Sequence, residues 1–142
     1  MAQILLMAHL ILIAMGTGMS FSNLVNAQLS QSEQGDRFKA LGSQRRVIAQ
    51  IGDGVITLIW LTGIALIWLS NGREALVNNG WFQAKLAFVV LLTLNHFLAR
   101  QTAGVMARSG NRSLLPRLRA FIGGVWLSAI AAICLAVLAF PG

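Results

Sequence analysis

Four side chains in this 142-residue sequence interrupt long apolar runs: His9, Asp53, Lys85 and His96. If those runs lie in lipid, each is costly. An Asp or Lys at the bilayer centre costs about 2.5 to 3.5 kcal/mol on insertion scales, so such residues face a bundle interior, pair, or mark a functional path. The chemistry available to them is narrow. A neutral imidazole in an apolar helical bundle can serve haem b as an axial ligand. A lysine can hold an anionic group, such as a porphyrin propionate or a substrate carboxylate. An aspartate beside a histidine can hand on protons.

Other chemistries are excluded by composition. The single cysteine, Cys134, cannot build a disulfide scaffold or any CxxC site, and two histidines cannot fill a three- or four-ligand His cluster. Copper transport is conceivable, but two separated histidines and scattered methionines give no convincing copper site. Hydrophobic residues make up 56% of the chain and charged residues 11%, against about a quarter charged in soluble domains, so the surface must face lipid. The net charge of +7 would suggest nucleic acid in a soluble protein. Here the basic residues lack interleaved aromatics, membrane topology accounts for them, and no nucleic-acid partner is expected.

The elements that must position the four residues are apolar segments of about 20 residues, running over 4–25, 47–69, 81–99 and 121–140. At 1.5 Å per residue each can cross a ~30 Å hydrocarbon core, and helix satisfies its own backbone in lipid. An all-α, integral membrane four-helix bundle in a single domain follows. The connection 26–46 carries Arg37, Lys39, Arg45 and Arg46, and the connection 100–120 carries Arg100, Arg108, Arg112, Arg117 and Arg119. The positive-inside rule makes both connections cytoplasmic and both termini outside, as in a bacterial inner membrane. The first apolar run lacks a basic n-region and is too long for a signal-peptide core, so it is expected to stay as a helix.

Finer features follow from residue type. Asn71-Gly72 and Asn78-Asn79-Gly80 read as turn chemistry bracketing the short outer connection. Leu115-Pro116 should break the chain before the last helix. Trp68 and Trp81 should lie near the outer headgroups. Gly52, Gly54, Gly123 and Gly124 read as helix-packing contacts, because small residues let backbones approach in lipid.

Depth sorts the polar residues into two levels. His9 lies about 8 Å and Lys85 about 6 Å below the outer surface, while Asp53 and His96 lie about 9 and 6 Å from the inner boundary. Lys85 and His96 share one face of the third span, three turns apart. His9, Gly16, Ser20 and Asn23 form a small-polar stripe on the first. One haem joining His9 and His96 is disfavoured, since parallel helices place them about 15 Å apart in depth. A haem would take one histidine, His9, with Lys85 near its level. Each residue also has a plain structural role open to it. His9 can be a hydrogen-bonded interior histidine, and Lys85 can extend its ammonium toward the interface. Asp53 either pairs with His96 or Arg100 or stays protonated, and an Asp53–His96 contact serves either as a proton relay or as a packing bond.

The stretch Trp81-Phe-Gln-Ala-Lys85-Leu through Leu92-Thr-Leu-Asn-His96 resembles the W-x-x-x-K-L…H segment of HemJ-type protoporphyrinogen oxidases and the related CopD-like membrane proteins. Ala8-His9-Leu10 followed by Gly16 is similar to that group's opening helix, and the four spans and the Arg45-Arg46 pair are similar too. The resemblance is to a divergent member. Where the group has aromatics and a Pro-Arg pair after its first histidine, this chain reads Gly16-Thr-Gly-Met-Ser-Phe-Ser-Asn23. Its Arg-x-x-Asn-Glu-x-Pro pattern is replaced by Arg119-Ala-Phe-Ile-Gly-Gly124. The resemblance implies a haem-b-containing membrane oxidoreductase with His9 and Lys85 required for activity. The competing expectation is a non-catalytic accessory subunit, packed against a larger respiratory or photosynthetic complex or against further copies of itself.

Overall fold

The computed structural model describes residues 2–69 and 72–139, and every regular element among them is helical. Helix α1 spans Ala2–Leu29, α2 Gly35–Leu69, α3 Gly72–Asn78, α4 Gly80–Ser109 and α5 Leu115–Ala139, with a 3-10 turn at Arg112–Leu114 before α5. Four of these, α1, α2, α4 and the turn with α5, are long and apolar enough to cross a membrane. Phe140, the last residue of the fourth expected span, lies outside the described residues, as does Asn71.

The helices run well past the apolar segments at the basic end. Helix α2 begins at Gly35 rather than Val47, and α4 continues to Ser109 rather than stopping at Ala99. Lys, Arg and Gln are good helix formers, so leaving the apolar zone does not end the helix. Gly110 ends α4 in the left-handed region (φ 64°), its N–H bonding to Met106 O, and Gly35 at φ 57° opens α2. At the other end the expected turn is itself a short helix, α3. Asn79 does not adopt positive φ there. It is extended (φ −110°) and caps α4 by accepting from Phe82 N at 3.1 Å, while its Nδ2 donates to Ala139 O at 2.8 Å. Pro116 initiates α5 instead of breaking the chain ahead of it, because the N–H it lacks is unpaired in a first turn anyway.

The bundle is a ring of unequal edges. Helices α4 and α5 pack along most of their length, α1 packs on α2 and on α5, and α2 meets α4 only thinly. Helices α1 and α4, and α2 and α5, face each other as diagonals without close backbone approach. The core is concentrated at the basic end, where Ala27, Ala99, Met106, Leu115, Leu118 and Ile122 form one cluster. In the opposite half α1 buries only His9, α4 only Phe82, and α2 nothing beyond Val55, while α5 buries Ser128, Ala129, Ala132 and Ala139. Outward faces are apolar, with Ile11, Leu61, Phe97 and Val137 each more than half exposed, as suits contact with acyl chains. Trp68 and Trp81 are exposed on either side of α3.

Glycine accounts for the tight α4–α5 edge. A Cβ on Gly124 would stand 2.8 Å from Asn95 Oδ1 and 2.9 Å from its Cγ, while Asn95 Nδ2 is held by Leu91 O at 2.9 Å. Overpacking of this kind costs about 1–3 kcal/mol. Gly124→Ala should therefore lower the melting temperature in detergent, and Asn95→Ala in the same chain should restore most of it. An unchanged melting temperature in Gly124→Ala would show that Asn95 yields freely. Gly52 also makes a close contact. Gly54 is not a packing contact, because a Cβ there would meet no atom of the described residues within 4 Å.

Candidate functional site

His9 is buried on the α1 face that meets α2. Its Nδ1 lies 2.7 Å from Thr62 Oγ1. Thr62 already donates its only hydroxyl proton back to its own helix, at Leu58 O, 2.7 Å, so it accepts from His9 Nδ1–H. That fixes the tautomer and leaves the lone pair on Nε2. Gly63 makes room for the ring, since a Cβ there would come within 3.3 Å of His9 Cε1.

Lys85 approaches the same region from the diagonal helix α4, within electrostatic reach of the His9 imidazole. Its Nζ lies 5.5 Å from the Phe82 ring centroid. Among the described residues it has neither an ion pair nor a hydrogen bond. A cation partly withdrawn from water and lacking a counter-charge needs an anion.

Asp53 and His96 sit a level deeper toward the basic end, on the thin α2–α4 edge. Asp53 Oδ1 accepts from His96 Nε2–H at 2.6 Å, and Oδ2 accepts from Arg100 Nη2 at 3.0 Å. The two partners the sequence offered as alternatives are both engaged, one per carboxylate oxygen. Gly52 sets the ring against α2, as a Cβ there would lie 3.2 Å from His96 Cε1. Between the two levels Trp60 Nε1 donates to Thr93 Oγ1 at 3.1 Å, a third polar link across the same edge.

The small-polar stripe of α1 has mixed fates. Gly16 packs against Val55 and Ile59, Ser20 bonds its own Gly16 O at 2.8 Å, and Asn23 Oδ1 is buried with no partner among the described residues. Sequence periodicity does not single out Thr62, Trp60 or Thr93. The one signal for Thr62 is helical register, which sets it on the same face of α2 as Val55 and Ile59, the residues that meet Gly16 of α1.

Whether these residues suit haem b turns on donor chemistry. A ligating histidine ordinarily donates its other ring N–H to a fixed acceptor, which orients the ring and raises its basicity, and His9 with Thr62 has that arrangement. His96 has its Nε2 committed to Asp53. One imidazole with its Nε2 uncommitted and one cation unpaired among the described residues are donor types that a single-histidine haem would use, the first for iron and the second for a propionate. Among the described residues no three His, Cys, Asp or Glu side chains come together as a metal cage, and a porphyrin-held iron does not require one. The chain matches no family model, no curated protein and no solved structure.

Proposed function

We propose that this protein is a multi-pass redox protein of the bacterial inner membrane, of the HemJ/CopD-like type, that holds one haem b between the outer halves of its helices. Its basic connections, 26–46 and 100–120, face the cytoplasm, and both termini face outward. The observation that carries this reading is the pairing of two unmet needs across one diagonal. Lys85 lacks an anion among the described residues, and His9 keeps a free Nε2 lone pair in a tautomer fixed by Thr62. Haem b answers both, with iron for the imidazole and propionates for the ammonium. When bound, it would supply one-electron chemistry. The chain's own contribution is to orient His9 through Thr62 and Gly63, to neutralise an anionic edge with Lys85, and to exclude bulk water by its lipid-facing exterior.

Absorption spectra of the detergent-purified protein test this. A Soret band that shifts on reduction is expected in the wild type and in His96→Ala, and is expected to be absent in His9→Ala. A colourless wild-type protein recovered in fixed ratio with a larger membrane complex would replace this reading with the accessory-subunit one.

A further inference from the structure

The thin edge between α2 and α4 is held by side chains rather than by close backbones. Its links are Asp53 to His96, Asp53 to Arg100, and Trp60 to Thr93. The Asp53–Arg100 pair is compact and charge-balanced, and His96 is the imidazole that shares its carboxylate. Its side chain keeps 18% of its surface accessible. Nε2 is committed to Asp53, and Nδ1 has no hydrogen-bond partner among the described residues.

The kind of ligand follows from the surroundings. A metal cation would meet one carboxylate already shared between an arginine and an imidazole, with no second acid beside it among the described residues. An anion would meet the Asp53 carboxylate. A proton suits the site, because imidazole is the side chain that exchanges one between pH 5 and 8, and His96 has a bare Nδ1 among the described residues while its Nε2 is held by a carboxylate. The charged and titratable groups facing His96 are few. Helix α2 presents Asp53 and α4 itself presents Arg100. Helix α5 has no titratable residue between Arg119 and Cys134, and α1 makes no close backbone approach to α4.

We propose that Asp53, His96 and Arg100 form a reversible proton-binding site on the α2–α4 edge, with the proton taken at His96 Nδ1 and held through the Nε2–Asp53 hydrogen bond. Arg100 acts as the positioning residue, since it fixes the second carboxylate oxygen and so aims the first at the ring. No other bond forms or breaks. The proton comes from the aqueous phase at the basic end, where Arg100 opens toward the arginine-rich connection. The site goes beyond the haem reading and stands without it.

Nitrogen NMR of ¹⁵N-histidine-labelled protein in lipid nanodiscs reads both ring nitrogens directly, and with only two histidines His96→Gln assigns the signals. At pH 8 His96 is expected as the Nε2–H tautomer with a bare Nδ1, and by pH 5 with a proton on Nδ1. Asp53→Asn should reduce the fraction of His96 that carries this proton at a given pH, whereas Asp53→Glu should keep it. A bare Nδ1 throughout that range in the wild type would overturn the proposal, as would unchanged loading in Asp53→Asn. The wild-type measurement decides even if the asparagine variant fails to fold. The spectral test of haem is separate, so a colourless protein that loads a proton at His96 would remove the redox reading and retain this site.

Discussion

Lys85→Met should move two measurements in opposite directions. Without haem, the variant should be more stable than the wild type, because it removes a cation that has no counter-charge among the described residues. The gain is on the order of 1 kcal/mol, since about 2.5–3.5 kcal/mol is the insertion cost at a span centre and Lys85 lies nearer an interface. With haem, it should hold the group less tightly. Removing one partner of a withdrawn charge pair costs about 2–5 kcal/mol, and the lower end applies to a side chain only partly buried. That corresponds to roughly 30-fold faster transfer of haem to an excess of a scavenging globin. Methionine keeps the length and apolar stem, so packing against Phe82 changes little. Lys85→Arg should retain both charge and haem. A structural lysine that only extends to the headgroups would show neither effect, and equal haem retention in Lys85→Met would remove the anion-holding role.

The two levels of polar residues were legible in the sequence because a bilayer converts residue number into depth. Helices that must cross about 30 Å at 1.5 Å per residue leave little freedom along their axes. Asp53 and His96 were expected at one depth and meet at 2.6 Å, and His9 and Lys85 were expected at another and lie within electrostatic reach. Rotation about each axis and the choice of neighbours are a different matter. Periodicity shows which residues of one helix share a face, but not which helix that face meets. Hence Thr62, which fixes the His9 tautomer, gave no advance signal of its partner, nor did the Trp60–Thr93 link. The open α2–α4 edge was equally hidden, because it depends on how closely α5 draws in α4 and α1, and that closeness rests on glycines such as Gly124. Helix ends at the basic face were missed for a simpler reason. Hydropathy reports where lipid stops, and helix-forming polar residues carry α2 and α4 beyond it.

Arg45 is where topology and structure diverge most, and Arg45→Met should destabilise the bundle. In the sequence it is indistinguishable from Arg46 as a positive-inside charge. In the fold Arg46 is exposed while Arg45 is 6% exposed. The Arg45 Nη1 donates to Asn26 Oδ1 at 3.1 Å and to Ser30 Oγ, and Asn26 Nδ2 in turn donates to Gln44 Oε1 at 2.9 Å. Arg112 Nη2 donates to Glu33 O at 2.7 Å just beyond, and Arg119 donates to Gln28 Oε1. Three arginines from α2, the 3-10 turn and α5 thus gather on the C-terminal end of α1, where unpaired carbonyls and the helix dipole favour cations. Two effects oppose each other in the variant. Burial draws the guanidinium below its ordinary pKa range, so methionine relieves a desolvation cost. Against that, Asn26 and Ser30 are themselves buried and lose their charged donor, at about 1.5–3 kcal/mol for such hydrogen bonds, and the dipole term adds up to about 1. The lost donors win because the acceptors have no water to turn to, and a net loss of about 2 kcal/mol is expected. The sign of any pH effect follows from the depressed value. The cost of burying the cation is fully present below the folded pKa and is relieved only as pH rises through it, and because arginine stays protonated in proteins the loss should be flat between about pH 5 and 9. Thermal unfolding in detergent measures it. A higher melting temperature in Arg45→Met would mean that desolvation outweighs the hydrogen bonds, and that Arg45 is retained for orientation in the membrane rather than for stability.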